Sequence, residues 1–355
     1  MPEAAANAVL AAALDPPRAY GPPPAAAIAR SVAGDFLVEE DLGFAPAGSG
    51  AHLLLKVRKT DANTAWVARQ LARAAGCPPR DVGYAGLKDR RAVALQWFSV
   101  PRPRDVIDWL AIRGEGFEVL EAHPHSRKLP RGALAGNLFT VRLRAVDGDG
   151  ERLRAALAPR VAVVAAHGVP NYFGPQRFGR GGANLLRAAA DLSALAHAER
   201  SLVLSAARSV VFNAVLAERV TGGSWEHLEA GDLAMLDGRG SFFAVAVADE
   251  PLMTRCARLE IHPTGPLWGA GQPESGAAVR ALETRVAAQF PGQCAVCAAA
   301  GMAQERRSLR LRVVGLSCEA EPDAALLRFR LTRGSFATAL LRELVAQPEA
   351  DDQTG

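Results

Sequence analysis

Residues 83–90 read Gly-Tyr-Ala-Gly-Leu-Lys-Asp-Arg, and after Arg91 residues 92–100 read Ala-Val-Ala-Leu-Gln-Trp-Phe-Ser-Val. The second run alternates, with Val93, Leu95 and Trp97 on one side, and so predicts a strand. Gly83 and Gly86 predict a turn ahead of it. Asp89 therefore sits on a short connection just before a strand, a placement that combines a rigid mounting with access to solvent. It is flanked by Lys88 and Arg90. Two cations beside one acid favour its ionised form, which suits a nucleophile or proton acceptor better than a general acid. A Lys-Asp-Arg triplet alone is equally a solvated charge run, so its meaning depends on the rest of the chain.

Working outward, residues 35–40 and 52–58 read as strands joined by a Gly/Pro-rich loop, and 64–75 as a helix with Asn63 as N-cap and Gly76 as C-cap. Residues 137–144 alternate again: Phe139, Val141 and Leu143 share a face, and Asn137 stands on that face at its open end. An amide ending an apolar strip beside an aromatic suits a base-binding pocket, and equally an edge Asn beside a core Phe. Residues 151–166 are helical in register, with a break or kink expected at Pro159. Between 171 and 182 lie four glycines, three aromatics and two arginines, Arg177 and Arg180. Such a mixture can stack bases and grip phosphates, or pack as a hinge. Helical stretches follow at 184–196 and 201–220. Strands return at 309–314 and 326–332, and Ser335 is the expected cap of an amphipathic helix 336–346 that begins with Phe336.

At 355 residues two domains are expected. A hydrophobic content of 49% and a charged content of 22% describe a globular protein with a large core. The net charge is only +4, and lysine occurs four times, at 56, 59, 88 and 128. A GC-rich genome gives an Arg, Ala and Pro bias without function, but not clustering. Arginines gather in 126–132, 177–187, 304–312 and 328–333, a pattern that fits an RNA-backbone footprint. No apolar run is read as reaching the ~20 residues of a membrane span, and residues 1–30, Ala/Pro-rich, are expected to be a loosely ordered leader without the features of a signal peptide. Cys294-Ala-Val-Cys297 lacks the second ligand pair that a zinc site needs, and reduced thiols in a cytoplasmic protein are the default.

The runs Asp35-Phe-Leu-Val-Glu-Glu40, Gly86-Leu-Lys-Asp-Arg90, Gly132-Ala-Leu, Gly136-Asn-Leu-Phe139 and Val169-Pro-Asn-Tyr-Phe-Gly-Pro-Gln-Arg-Phe-Gly179, continued by Leu204-Ser-Ala-Ala-Arg208, Ile261-His-Pro-Thr-Gly-Pro266, Gln304-Glu-Arg-Arg307 and Gly334-Ser-Phe-Ala-Thr338, keep an order and spacing that resemble the tRNA pseudouridine synthase D (TruD) family across about 34–346. The resemblance implies an α+β fold: a pseudouridine synthase-type mixed, largely antiparallel sheet with flanking helices, plus an inserted α+β TRUD domain. It implies a catalytic domain from 31–162 and 311–346, an insert at 163–310, RNA between them and a tail at 347–355. The implied reaction is isomerisation of uridine to pseudouridine in tRNA, typically at uridine 13 of the D arm, without metal or other cofactor. No membrane or obligate protein partner is implied, and a monomer is expected.

By the same match Asp89 is the essential acid, acting on the sugar C1′, on the base, or on the 2′ proton. Phe36, Asn137 and Phe336 line the uracil pocket and Phe139 supports it; Lys88 and Arg90 orient Asp89 and contact phosphate, and Arg177 and Arg180 contact RNA. Two positions depart from the family pattern, Ala94 in place of Thr and Ser126 in place of Asn. The rivals are a silent RNA-binding protein of the same fold, a synthase acting on another RNA, and a sugar hydrolase, which would want a second carboxylate.

Overall fold

Strand Val93–Pro101, which follows Asp89, lies inside a large sheet. The computed structural model describes residues 3–187, 192 and 195–347. On one side the strand pairs antiparallel with His52–Thr60, and on the other it pairs parallel with Phe36–Asp41. Beyond Phe36–Asp41 come Gly136–Ala145, Ala324–Thr332 and Val314–Glu321, and beyond His52–Thr60 come Phe117–His125 and Arg113–Gly114, all antiparallel. The sheet is therefore mixed and largely antiparallel. Helix Thr64–Ala75 covers one face with Val67, Ala68 and Leu71, against Leu55, Val57, Phe98 and Val100. It ends at Gly76, whose φ of 63° is the left-handed conformation of a C-cap. Asn63 precedes it but makes no side-chain capping bond.

The approach to Asp89 also differs from a glycine-made turn. Gly83 is in a short strand, Gly83–Tyr84, opposite Ser99, where a Cβ would meet the Leu129 carbonyl oxygen and Ser99 Oγ at 2.5 Å each. Gly86 has neither a positive φ nor a crowded neighbour. Gly83 thus answers to close packing, and the 85–92 connection is held by side chains.

The chain divides into two compact bodies. The sheet body comprises Pro24–Ala162, Val313–Gly334 and the chain from Val345. The other comprises the chain to Pro23, Val163–Arg312 and Ser335–Leu344. Its centre is helix His197–Thr221, whose Val210, Val211, Phe212, Val215 and Leu216 pack with Phe173, Phe178, Trp225 and Phe290. An antiparallel sheet orders Phe242–Ala244, Leu233–Leu236, Ile261–Leu267 and Glu305–Ser308.

Several expectations are corrected. Residues 3–30 are no loose leader: Glu3–Leu14 is helical, with Val9 and Ala13 buried in the helical body's core, and Ala25–Ala29 pairs with Gly136–Ala145 and with Val345–Ala346. Alanine and leucine supply both the helix propensity and the apolar face. Of the break or kink expected at Pro159, the break does not occur: helix Gly150–His167 continues through it. Pro159 and Ala155 are exposed, so the carbonyl deprived of its donor can bond to water. The run 309–314 is two elements, Arg310–Leu311 paired with Val169–Pro170 in one body and Val314–Glu321 in the other. The last helix is Ala337–Leu344, begins after Phe336, and belongs with the helical body rather than with 311–334. Of the helix expected over 184–196, Ala183–Arg187 is observed, and 188–191, 193 and 194 lie outside the described residues, as do 348–355 of the tail. Glu199–Thr221 is long and apolar enough to cross a membrane by length and composition, contrary to the sequence reading, but 67% of that window is buried within the protein.

Because Val9 is 1% exposed, Val9→Asp should destabilise the protein by about 3 kcal/mol or more, through lost burial and an unpaired carboxylate. A urea midpoint equal to wild type would show that the amino-terminal helix carries no stability.

Candidate active site

Strand register builds the site. Alternation along Gly136–Ala145 puts Asn137 and Phe139 on one buried face. Phe329 lies directly opposite Phe139 and stacks on it, with ring centroids 5.0 Å apart, and Phe36 meets Phe139 edge-on at 5.8 Å. On the next strand Glu40 is the cross-strand partner of Asn137, and Gln96 follows Leu95, the partner of Glu39. Asn137, Glu40 and Gln96 therefore form a polar row across three adjacent strands, and all three are buried.

A row of buried polar groups is tolerated only if each finds partners. These find them in the Asp89 loop. Glu40 accepts from Lys88 Nζ at 2.8 Å, from Gln96 Nε2 at 3.3 Å and from the Trp97 main-chain N–H at 2.9 Å. Gln96 Nε2 also donates to the Gly86 carbonyl at 2.8 Å, and its Oε1 accepts from Thr64 Oγ1 at 3.0 Å. Thr64 Oγ1 in turn accepts the Lys88 N–H at 3.1 Å. Lys88 Nζ reaches past Glu40 to Asn137 Oδ1 at 2.8 Å. An ammonium can only donate, so this contact fixes the amide: Oδ1 faces Lys88, and Nδ2 makes no hydrogen bond to another described residue.

The loop so held presents Asp89, whose side chain is 59% exposed. Its carboxylate pairs with Arg30 Nη2 at 3.1 Å. The Arg30 guanidinium lies over the Phe36 ring, 3.9 Å from its centroid. Arg30 has φ 62°, a left-handed conformation that costs a side-chain-bearing residue about 1–2 kcal/mol. The strained Arg30 backbone thus holds its head group between the exposed Asp89 carboxylate and the Phe36 ring.

Lys88 and Arg90, expected beside the Asp89 carboxylate, are turned elsewhere. The buried carboxylate of Glu40 draws Lys88 inward, and Arg90 Nε donates to the Asp61 carbonyl at 3.2 Å. Phe36 and Phe139 are buried and covered, by Arg30 and Phe329 respectively, so they form a wall behind the site. Ala94, fully buried, lies opposite Lys59, and Ser126 is exposed. The loop 126–132 is tied down by Leu129 N–H to Ser99 Oγ and Gly132 N–H to the Ala85 carbonyl, leaving Arg127 and Arg131 exposed.

Phe336, Arg177 and Arg180 belong to the other body. Phe336 is half-buried, 6.0 Å from Phe173 between ring centroids. Arg177 packs over both rings, at 5.2 and 5.5 Å, and donates to Ser205 Oγ at 2.8 Å. Burial pushes the Arg177 pKa down. Arg180 is exposed. The 304–312 arginines serve structure rather than a footprint. Arg306 pairs with buried Glu283 at 2.7 Å, Arg310 donates to the Cys256 and Ile261 carbonyls, and Arg312 bonds Asp237 at 3.2 Å. On helix Pro291–Ala299, burial pushes the Cys294 thiol up to about 12 and Cys297 up to about 11, away from a reactive thiolate.

The family model described as tRNA pseudouridine synthase D (TruD) matches residues 20–185 and 183–344. The chain belongs to the tRNA pseudouridine synthase D family. It is 46% identical over 335 residues to the tRNA pseudouridine synthase D of Pseudomonas aeruginosa, covering 93% of each chain, and 46% identical over 337 residues to that of Methylococcus capsulatus, covering 93% of this chain and 94% of that one. A crystal structure of the putative tRNA pseudouridine synthase D from Methanosarcina mazei superposes with a TM-score of 0.72 over 94% of this chain and 96% of that one, at 18% identity, a likeness of fold.

Sequence reading missed Arg30, Glu40, Lys59, Thr64 and Gln96. Glu40 lies in a quoted TruD-family motif, but only the strand register shows its carboxylate to be buried. Arg30 lay in the supposed leader. Its signal is an isolated arginine just ahead of the Asp35-Phe36 strand start.

Glu40→Ala strands the Lys88 ammonium and should destabilise the protein by about 3–5 kcal/mol. The double variant with Lys88→Met should recover part of that loss in urea unfolding, and no recovery would show that the pair is uncoupled. In the other body Arg177→Ala should cost about 2 kcal/mol of stability through lost packing, while Arg180→Ala should stay within about 0.5 kcal/mol. Equal losses would contradict the burial difference between them.

Proposed function

We infer that this protein isomerises uridine to pseudouridine in tRNA, at uridine 13 of the D arm. Membership of the tRNA pseudouridine synthase D family supports the reaction, and the position is the one the family resemblance implies. The observation that carries the assignment of chemistry is the exposed Asp89 carboxylate on a loop whose main chain is bonded from beneath at Gly86, Lys88 and Asp89. The reaction breaks the N1–C1′ bond, turns the uracil, joins C5 to C1′ and moves the C5 proton to solvent or a base. Atoms are conserved, and neither a redox step nor a hydrolytic water enters. In each route open to Asp89 the carboxylate gives an electron pair, to C1′, to the base or to the 2′ proton. Arg30 orients it from the side and must yield or slide along the Phe36 face as substrate arrives.

The target base has to leave the stack, at a cost of a few kcal/mol. Asn137, with its Oδ1 taken by Lys88, offers Nδ2 as a donor to a uracil carbonyl oxygen. The family resemblance adds Phe336, half-buried in the helical body, as a stacking residue, a role worth about 1–3 kcal/mol. Arg127, Arg131, Arg90 and Arg180, all exposed, contact the phosphate backbone.

Asp89→Asn keeps the shape and removes the charge. Its turnover on tRNA should fall by several orders of magnitude with tRNA affinity nearly unchanged; a variant keeping a tenth of wild-type turnover would refute the role. Nucleoside mapping on a tRNA carrying cytidine at position 13 tests the site. No pseudouridine should form, whereas modification at another position would overturn the uridine 13 assignment and leave the reaction class standing. Asn137→Ala should lower turnover more than it weakens tRNA binding, and equal effects on both would remove Nδ2 from base recognition.

A further inference from the structure

Lys59 is fully buried in strand His52–Thr60, yet no carboxylate forms an ion pair with it among the described residues. Its Nζ points at three main-chain carbonyls: Asp89 at 2.7 Å, Ala62 at 3.0 Å and, more weakly, Lys88 at 3.5 Å. A buried ammonium without a counter-ion is costly, and here its hydrogen bonds converge on the loop that carries the Asp89 carboxylate.

We propose that Lys59 is a positioning residue for the reaction, holding the Asp89 main chain by donating all three N–H bonds of its ammonium. The proposal rests on Asp89 being the reacting carboxylate. Three carbonyls can be satisfied only by three donors. A neutral amine has two, and its lone pair would face the third carbonyl and repel it. Deprotonation therefore leaves one of the three carbonyls without a donor, first the weakly held Lys88 carbonyl beside Asp89, and turns a lone pair toward it, which loosens the main chain on the amino-terminal side of Asp89.

The charge of Lys59 is also easily lost. Burial pushes its pKa down to about 8; Asp89, Glu40 and Asp61 raise it in part, and Lys88 lowers it further. The signs of the consequences are opposite. Between about pH 8 and the ordinary lysine value of about 10, the unfolded chain binds more protons at this residue than the folded one. Through this residue the fold gains stability as pH rises across that window, while the loop loses its staple and turnover falls. Alkaline unfolding would lower both together.

The test measures single-turnover pseudouridine formation on folded tRNA from about pH 6.5 to about pH 9.5 for wild type, Lys59→Arg and Lys59→Met. Wild type should lose activity above about pH 8, approaching tenfold per pH unit, with tRNA affinity unchanged. Lys59→Arg, charged throughout, should be slower but lack the inflection near 8. Lys59→Met should be at least about tenfold slower and equally flat. With only four lysines in the chain, labelling lysine Cε with carbon-13 and assigning signals by substitution gives the Lys59 titration directly, and its midpoint should coincide with the activity limb. Should Lys59→Met fail to fold, the wild-type titration and limb still decide. A Lys59 midpoint near that of ordinary lysines, or a folded Lys59→Met with the wild-type rate and limb, overturns the proposal. Failure of the underlying reading looks different: wild type forms no pseudouridine, or Asp89→Asn stays active, whatever the Lys59 titration shows.

Discussion

One buried carboxylate organises the sheet body. Glu40 is buried near the end of strand Phe36–Asp41, and a charge there is tolerable only when paired and hydrogen-bonded. It acquires Lys88 from the loop above, Gln96 from the neighbouring strand and the Trp97 main-chain N–H. Those demands give the 86–89 segment its conformation. With Lys88 drawn inward, its neighbour Asp89 is left facing outward, and one interaction beneath the sheet surface decides what is exposed above it.

The same pull sets the orientation of Asn137. Lys88 reaches Asn137 because Glu40 holds it between the two strands, and the donor-only chemistry of an ammonium leaves Asn137 one orientation. The Nδ2 donor that we propose for a uracil carbonyl is thus oriented by an ion pair one residue removed from it. Preorganisation of this kind keeps the site from spending binding energy on fixing its own side chains.

Cations in this chain fall into two classes that composition merges. Arg306 and Arg310 lie inside the helical body, where their planar forks satisfy carbonyls and a buried carboxylate that loops leave unpaired. Arg127, Arg131 and Arg180 remain in solvent. Only the second class is free to meet phosphates, so arginine density along the sequence overstates the nucleic-acid surface.

The alternation of Gly136–Ala145 and of Phe36–Asp41 and the helix 64–75 were legible in the sequence, because each follows from local periodicity and capping; the exposure of Asp89 was expected from its place before a strand, but the side chains that hold its loop were not. The ordered motifs Gly86–Arg90 and Val169–Gly179 carried the family and with it the mixed sheet. What local rules could not reach was who meets whom across strands. The pairing of Glu40 with Asn137 and Lys88, the burial of Lys59 beneath Asp89, and the return of Arg30 from the amino-terminal segment to the Asp89 carboxylate are all contacts between residues far apart in the chain. The sequence determined which side chains each element offers. Register and burial decided which charges had to find partners, because the cost of an unpaired buried group exists only once tertiary structure has excluded water.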